Sequence, residues 1–443
     1  MSRKDVILQP FREHEDLIKE RTSAGIENAR KGYAYIQVVD GEGKPVPGAR
    51  ITVNQKTHDF KYGANIFMLD EFESEEKNAE YRRLFKDHFN LATLPIYWND
   101  LEPEEGKPRF AKDSPRIYRR PPVDLCLEYC EENGIAPKAH FLSPNAVPDW
   151  MHQYSVTEQW NKLEERYQRL SERYAKRIHS WEVTNELWHV EKRFKMYRDP
   201  LFMERSFAMA ERYFPQNELI CNDGEYPFTD TFYYNRDRYY MQIERAMLKG
   251  ARIDTIGFQY HLWCNPQTEA DLIAVQCNPV KMFQVLDTFS EFKRPLQITE
   301  MTFPCHDHTS REAEDVQAEL LKNLYTIWFG TPAMEAAIYW NVVDGYAFHA
   351  EPGDFTAGEN RLAGGLVRFD MTPKPALKML KKLFTEDWHT EAELTTNSEG
   401  IARFKGFYGN YDVTIHAGGK TIETSFHLEK YVSSDAFPDT IKI

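Results

Sequence analysis

The sequence predicts an α/β protein in which a (β/α)₈ TIM barrel is inserted into a small β-sandwich built from the two ends of the chain. Three observations carry this. Between residues 57 and 388, eight short apolar runs alternate with longer amphipathic stretches, the pattern of βα units wound into a parallel barrel. Strand-like segments broken by turns occupy residues 33–56 and again 390–428, and neither group has enough strands to bury a core alone. The 443 residues suffice for one barrel-sized domain and one small one.

Composition narrows the class of function. A hydrophobic content of 42% with 14% aromatics supports a substantial core, while 28% charged residues and a mean hydropathy of −0.63 mark a soluble protein. No apolar run approaches the roughly 18 residues of a membrane span, so no membrane partner is expected. The basic residues after Met1 precede no apolar leader. The expected compartment is the cytoplasm, or the exterior if a leader has been trimmed away. A net charge of −14 argues against nucleic acid, whose phosphates need a concentrated basic surface. Six scattered cysteines lack zinc spacing and read as buried free thiols, so neither metal nor cofactor is expected.

Taken in order, residues 1–32 form an N-terminal helical segment, with a charged surface helix over 11–31. Tyr33–Val39 reads as a strand, Asp40–Gly43 as a turn, and Lys44–Val53 as a returning strand. The candidate barrel strands are 62–67, 89–97, 136–142, 180–184, 219–222, 255–259, 296–299 and 336–340. Between them lie helices. In residues 157–178, Trp160, Leu163, Tyr167, Leu170, Tyr174 and Ile178 recur at spacings of three and four behind a candidate cap, Thr157. After the barrel, 401–404, 411–415 and 421–426 are strands, and 429–443 is a tail.

The chemistry gathers at the strand ends, above all in residues 179–189. Asn185 and Glu186 follow the fourth barrel strand, Asn222 and Asp223 the fifth, Gln259 and His261 the sixth, and Glu300 the seventh. Such groups are costly to bury without purpose, and a closed barrel brings its strand tips to one cleft. Two carboxylates there suit glycoside cleavage, one donating a proton to the leaving oxygen and the other attacking the anomeric carbon. Asn217-Glu218, a second Asn-Glu pair in a surface-looking turn, receives no function, and Asp223 could simply cap a helix.

Residues 57–385 resemble glycoside hydrolase family 10, the retaining xylanases. Trp181-Glu-Val-Thr-Asn-Glu186 is similar to the family's Trp-Asp-Val-Val-Asn-Glu, and Ile298-Thr-Glu-Met301 to its Ile-Thr-Glu-Leu. Ile256-Gly-Phe-Gln-Tyr-His-Leu262, Trp340-Asn-Val-Val-Asp344 and Phe369-Asp370 with Pro373-Lys-Pro-Ala376 resemble further family segments in the same order. The resemblance implies Glu186 as acid/base and Glu300 as nucleophile. It implies sugar contacts from His140, Asn145, Asn185, Gln259, His261, Trp340 and Trp98. The two ends similarly resemble a transthyretin-like or carboxypeptidase-regulatory-like sandwich.

The chain also departs from the family. Its Glu-Asn-x-Met-Lys-Trp after the second strand, which holds xylose units on the non-reducing side, is here Thr93-Leu-Pro-Ile-Tyr-Trp98. The Asp two after the nucleophile is Thr302, and Phe348 stands where a second Trp is usual. The expected activity is therefore retaining cleavage of β-linked xylose-type oligosaccharides or glycosides. A β-glycosidase of different sugar or aglycone preference, or a carbohydrate-binding protein with a decayed barrel, is the alternative. The sugar, endo or exo action and the oligomeric state stay open.

Overall fold

A computed structural model describes residues 2–188, 194–430 and 439–443. His189 and most of the tail lie outside the described residues. The chain divides into two compact units, the first comprising residues 1–14, 62–320 and 336–377 and the second residues 15–61, 321–335 and 378–443.

The single helix expected over 11–31 is two, α1 (Arg3–Glu13) and α2 (Glu15–Ala29), separated at His14 where the backbone leaves helical geometry. α1 belongs to the first unit and buries Ile7, Leu8 and Phe11. Strands β1 (Lys31–Val39) and β2 (Arg50–Gln55) belong to the second. The returning strand is shorter than expected because Pro45 and Pro47 withhold the ladder N–H groups that residues 44–49 would need.

The first unit is built on a closed barrel of eight strands: β3 (Lys61–Asn65), β4 (Leu91–Pro95), β5 (Ala136–His140), β6 (Ser180–Thr184), β7 (Glu218–Asp223), β8 (Thr255–His261), β9 (Leu296–Thr302) and β10 (Met334–Tyr339). Neighbours run parallel in sequence order, and β10 closes against β3. Every residue of β8 and β9 is buried, as expected where side chains fill a barrel on one face and helices cover the other. One helix shows how local sequence sets its bounds. Val156–Tyr174 begins at Ser155, whose hydroxyl accepts the Glu158 N–H while the Glu158 carboxylate accepts the Ser155 N–H. The cap is thus Ser155, with Thr157 already in the first turn.

Asn217-Glu218 is not a surface turn. Asn217 is buried and donates to the carbonyls of Ala175 and Ile178. The Glu218 carboxylate, at the start of β7, accepts from Ser180, Thr255 (2.6 Å) and Gln297 (3.4 Å). These partners begin or nearly begin β6, β8 and β9, so the pair braces the end of the barrel opposite the strand tips, where stability rather than catalysis is served. The six cysteines are buried and free, and no described helix is long and apolar enough to cross a membrane.

The second unit holds β11 (Glu391–Thr395), β12 (Ile401–Phe407), β13 (Gly409–Ala417), β14 (Lys420–Leu428) and β15 (Asp439–Lys442) together with β1 and β2. β1 pairs with β12 and β15 in one sheet, and β2 pairs with β11 and β13 in another that ends on β14. Ile36, Val38, Ile51, Val53, Tyr411 and Val413 share one buried cluster. The alternation of buried and exposed residues along β2 and β13 is that of a sheet with one wet face. α2 runs so close to Gly330 that a Cβ on Gly25 would sit 1.7 Å from the Gly330 carbonyl oxygen, which is why neither position can carry a side chain. Arg30 donates to the carbonyls of Phe329, Thr331 and Met334 at 2.5–2.7 Å.

Candidate active site

At the C-terminal ends of the barrel strands lies a cavity of about 580 Å³, lined among others by Glu186, Glu300, His140, Asn145, Asn185, Gln259, His261 and Trp340. Eight of the nine residues expected at the site therefore meet there. Trp98 does not. It is 1% exposed, donates its indole N–H to Glu102, packs edge-on against Trp150 and lies under Arg166. Its place in the cavity is taken by Tyr97, the residue before it, because β4 ends at Pro95 and the short helix at Trp98–Leu101 turns the indole inward.

Glu186 follows β6 in left-handed backbone, φ 50°. Its Oε2 accepts from Asn145 Nδ2 at 2.9 Å and its Oε1 from Gln259 Nε2 at 2.7 Å. Glu300, inside β9 and 4% exposed, accepts on Oε1 from the same Gln259 nitrogen at 3.2 Å and from Asn222 at 3.4 Å. Its Oε2 faces His261 Nε2 at 3.3 Å. One amide thus bridges both carboxylates, so their nearest oxygens are less than about 6 Å apart, short of the roughly 6.5–9.5 Å of an inverting pair. Asn185 accepts from Asn222 and Gln259, which locks the amide layer.

Beneath this layer is a buried charge relay. Glu182 pairs with Lys138 at 2.5 Å and with His140, and His140 Nδ1 lies 3.9 Å from Glu300. Burial alone would raise the Glu182 carboxyl, but Lys138 and His140 outweigh it and hold it at about 2. Glu300 goes the other way. Burial, with the negative charges of Glu186 and Glu182, pushes it up to about 8 against the pull of His140 and Lys138. Burial lowers His261, so its ring is neutral. Thr302 Oγ1, 3.0 Å from Nδ1, then donates to that nitrogen and leaves Nε2–H to donate to Glu300. Thr302 fills the place of the absent Asp with a hydroxyl.

Asp223 is no helix cap. Its two oxygens accept the N–H groups of Gly224 and Leu187, fixing the peptide just after Glu186, and burial pushes it up to about 7. Two further sets of donors lie close enough to share an ion, Cys264–Glu269–His306 and His140–Glu182–Glu300. In each a resident cation already holds a carboxylate: Arg3 forks onto Glu269 at 2.8 Å, and Lys138 holds Glu182.

Sequence reading missed Phe67, Asp100, Arg119, Arg120, Glu225 and Trp263, all of which line the cavity. Trp263 stacks on His261 with ring centroids 4.4 Å apart and keeps 42% of its surface exposed. Its position two residues beyond His261 at a strand end was the available signal. Nothing local marks Arg119 and Arg120, which arrive from an irregular segment more than twenty residues past β4.

Comparison with known proteins agrees with this geometry. The model of glycosyl hydrolase family 10 matches residues 56–383. Endo-1,4-beta-xylanase B of Thermotoga neapolitana is 26% identical over 344 residues, covering 74% of this chain and 88% of its own. Anti-sigma-I factor RsgI6 of Acetivibrio thermocellus is 24% identical over 413 residues, 90% of this chain but 47% of its own length. The chain thus spans about half of that relative. Xylanase 10B from Thermotoga petrophila, solved with xylobiose, superposes with a TM-score of 0.58 at 22% identity over 73% of this chain and 94% of its own, which shows a shared barrel fold. With three quarters of its length under the family model, the chain belongs to glycosyl hydrolase family 10.

Proposed function

We propose that the chain is a retaining glycoside hydrolase that cleaves β-linked xylose-type oligosaccharides or glycosides by double displacement. The observation that carries the reading is the Gln259 amide bridging Glu186 and Glu300, since carboxylates that close leave no room for a water between sugar and base. In the first step Glu300 Oε attacks the anomeric carbon, the bond to the glycosidic oxygen breaks, and Glu186 gives its proton to that oxygen. In the second, Glu186 takes a proton from water, whose oxygen displaces Glu300. The productive pair therefore carries one proton. A carboxyl pushed up to about 8 keeps that proton at neutral pH, and positive charge developing at the anomeric carbon beside Glu300 moves it to Glu186.

His261, neutral and braced by Thr302, presents an N–H to Glu300 and sets its orientation. Trp340, 7% exposed and met edge-on by Phe67 and His140, offers a rigid apolar wall to the sugar ring. The test is to trap the covalent intermediate with a 2-deoxy-2-fluoro β-xyloside and map the adduct by mass spectrometry. The label should sit on Glu300, and the first product seen by NMR should keep the β configuration. An α product would exclude the mechanism. In the carbohydrate-degrading relatives the substrate is β-1,4-linked by name, and the same linkage is the one proposed here.

A further inference from the structure

The loops after β4 and β10 flank β3 in the barrel, and two arginines join them. Arg119 Nη1 donates to the Tyr346 carbonyl and its Nη2 to Asn341 Oδ1 at 2.6 Å, both beyond β10. Arg120 reaches back, its Nε 2.7 Å from Asp100 Oδ2 and its guanidinium 3.9 Å over the Tyr97 ring. Arg120 Nη1 also donates to the Arg119 carbonyl. Together they form a wall above the end of β3, where Phe67 enters the cavity.

That wall is held at a cost. Arg119 is 3% exposed and has left-handed backbone (φ 61°), and Glu359 acts on it through the field without a direct ion pair among the described residues. Burial works against this cation, and Glu359, reached through Asn341, offsets only part of that; a buried charge and a left-handed non-glycine both cost free energy, and such arrangements persist where the surroundings over-determine them. Behind the wall begins a separate depression, lined by Arg116, Tyr118, Tyr346 and Glu351, that shares no residue with the catalytic cavity. Trp263, across the barrel at the end of β8, and Phe348, beside Arg120, are both exposed at the rim of the cavity. The resemblance to the family implies that sugar on the non-reducing side lies by the segment after β4, residues 93–98, next to this wall.

We infer that this wall closes the non-reducing end of the site, so that the protein takes sugar from the non-reducing terminus of an oligosaccharide instead of cutting within a chain. The inference rests on the glycosidase reading for its direction, and adds exo action to it. It also accounts for the absent polar trio: a chain end that meets a wall needs no contacts beyond it.

The probes are β-1,4-xylo-oligosaccharides labelled at the reducing end, free or blocked at O4 of the non-reducing xylose. Free oligomers should shorten from the unlabelled end, and blocking should lower kcat/KM by about 100-fold or more. Internal cleavage of blocked oligomers within about threefold of the free rate would overturn the inference. A second measurement needs no turnover. The Glu300→Gln protein, titrated calorimetrically, should bind the free tetramer at least about tenfold more tightly than the blocked one, and equal affinities would overturn the wall. Discriminating binding with neither probe cleaved by the wild type would sink the glycosidase reading and leave the closed end standing. Arg119→Ala with Arg120→Ala should bring the two affinities together, and a folded double variant that still discriminates would assign the barrier elsewhere and overturn the role of the arginines.

Discussion

Glu300→Gln separates the electrostatics of the site from its chemistry. The wild-type carboxyl titrates in the folded protein at about 8 instead of 4.5, so the folded state holds its proton more tightly than the unfolded one. The sign follows: this group costs the fold nothing below pH 4.5, and stability falls as pH rises from there to about 8, where the loss is complete. Each pH unit across that window is worth about 1.4 kcal/mol, so between pH 5 and 8 the loss is about 4 kcal/mol as an upper bound. Glutamine has the same shape and no proton to lose. It also has one fewer acceptor, but Thr302 can turn its hydroxyl to accept from His261 Nδ1–H, letting Nε2 accept from the new amide. That adjustment costs the same at every pH. The assay is urea unfolding of both proteins at pH 5, 7 and 9, with the difference in unfolding free energy plotted against pH. It should favour the variant increasingly as pH rises, while turnover falls by on the order of 10⁴-fold or more. A difference that is flat from pH 5 to 9 would refute the raised carboxyl and the one-proton pair built on it.

The remaining expectations are more direct. Glu186→Ala should spare aryl glycosides with good leaving groups, lose alkyl ones, and regain rate with azide to give a β-glycosyl azide; no rescue would argue against Glu186 as acid/base. Lys138→Met removes the cation paired with Glu182, leaving a buried charge held by His140 alone, and should destabilise by about 3–5 kcal/mol on chemical unfolding. We propose further that residues 33–56 and 390–428 form one sandwich. Deleting 388–443 would strip β1 and β2 of β11–β15, and dye binding and aggregation should both rise; a fully soluble, monomeric truncation would count against it.

What could be seen in advance follows from what each feature depends on. The eight barrel strands were legible because each is a local apolar run, and the observed bounds fall within two residues of the expected ones at most ends. Glu186, Gln259, His261 and Glu300 were legible because a polar residue ending such a run has one place to go in a barrel. Trp98 misled because it and Tyr97 differ by one position, and one residue of helical turn decides which ring faces the cavity. Ser155 was passed over for Thr157, though only Ser155 has a Glu three residues on to complete the reciprocal cap. Arg119 acts through Tyr346 and Asn341, more than 200 positions away, and no periodicity encodes such a pairing.

Thr302 ties the departures to the electrostatics. A carboxylate at this position would sit against His261 Nδ1 and favour the imidazolium, placing a cation beside Glu300 and drawing its proton affinity down. The hydroxyl instead leaves the ring neutral, and Glu300 keeps its high value. Thr302→Asp should therefore lower the pH at which the carboxyl pair loses its last proton. Because the reaction needs that proton, the alkaline limb of kcat/KM should move to lower pH by about one unit, while the acid limb, set by the other macroscopic step, moves less. The control is Thr302→Val, which removes the hydroxyl without adding charge: it frees the His261 tautomer and should lower kcat with little displacement of the limb. An alkaline limb that stays in place in Thr302→Asp, in a variant that folds and binds sugar as the wild type does, would mean that the His261 proton does not set the charge on Glu300.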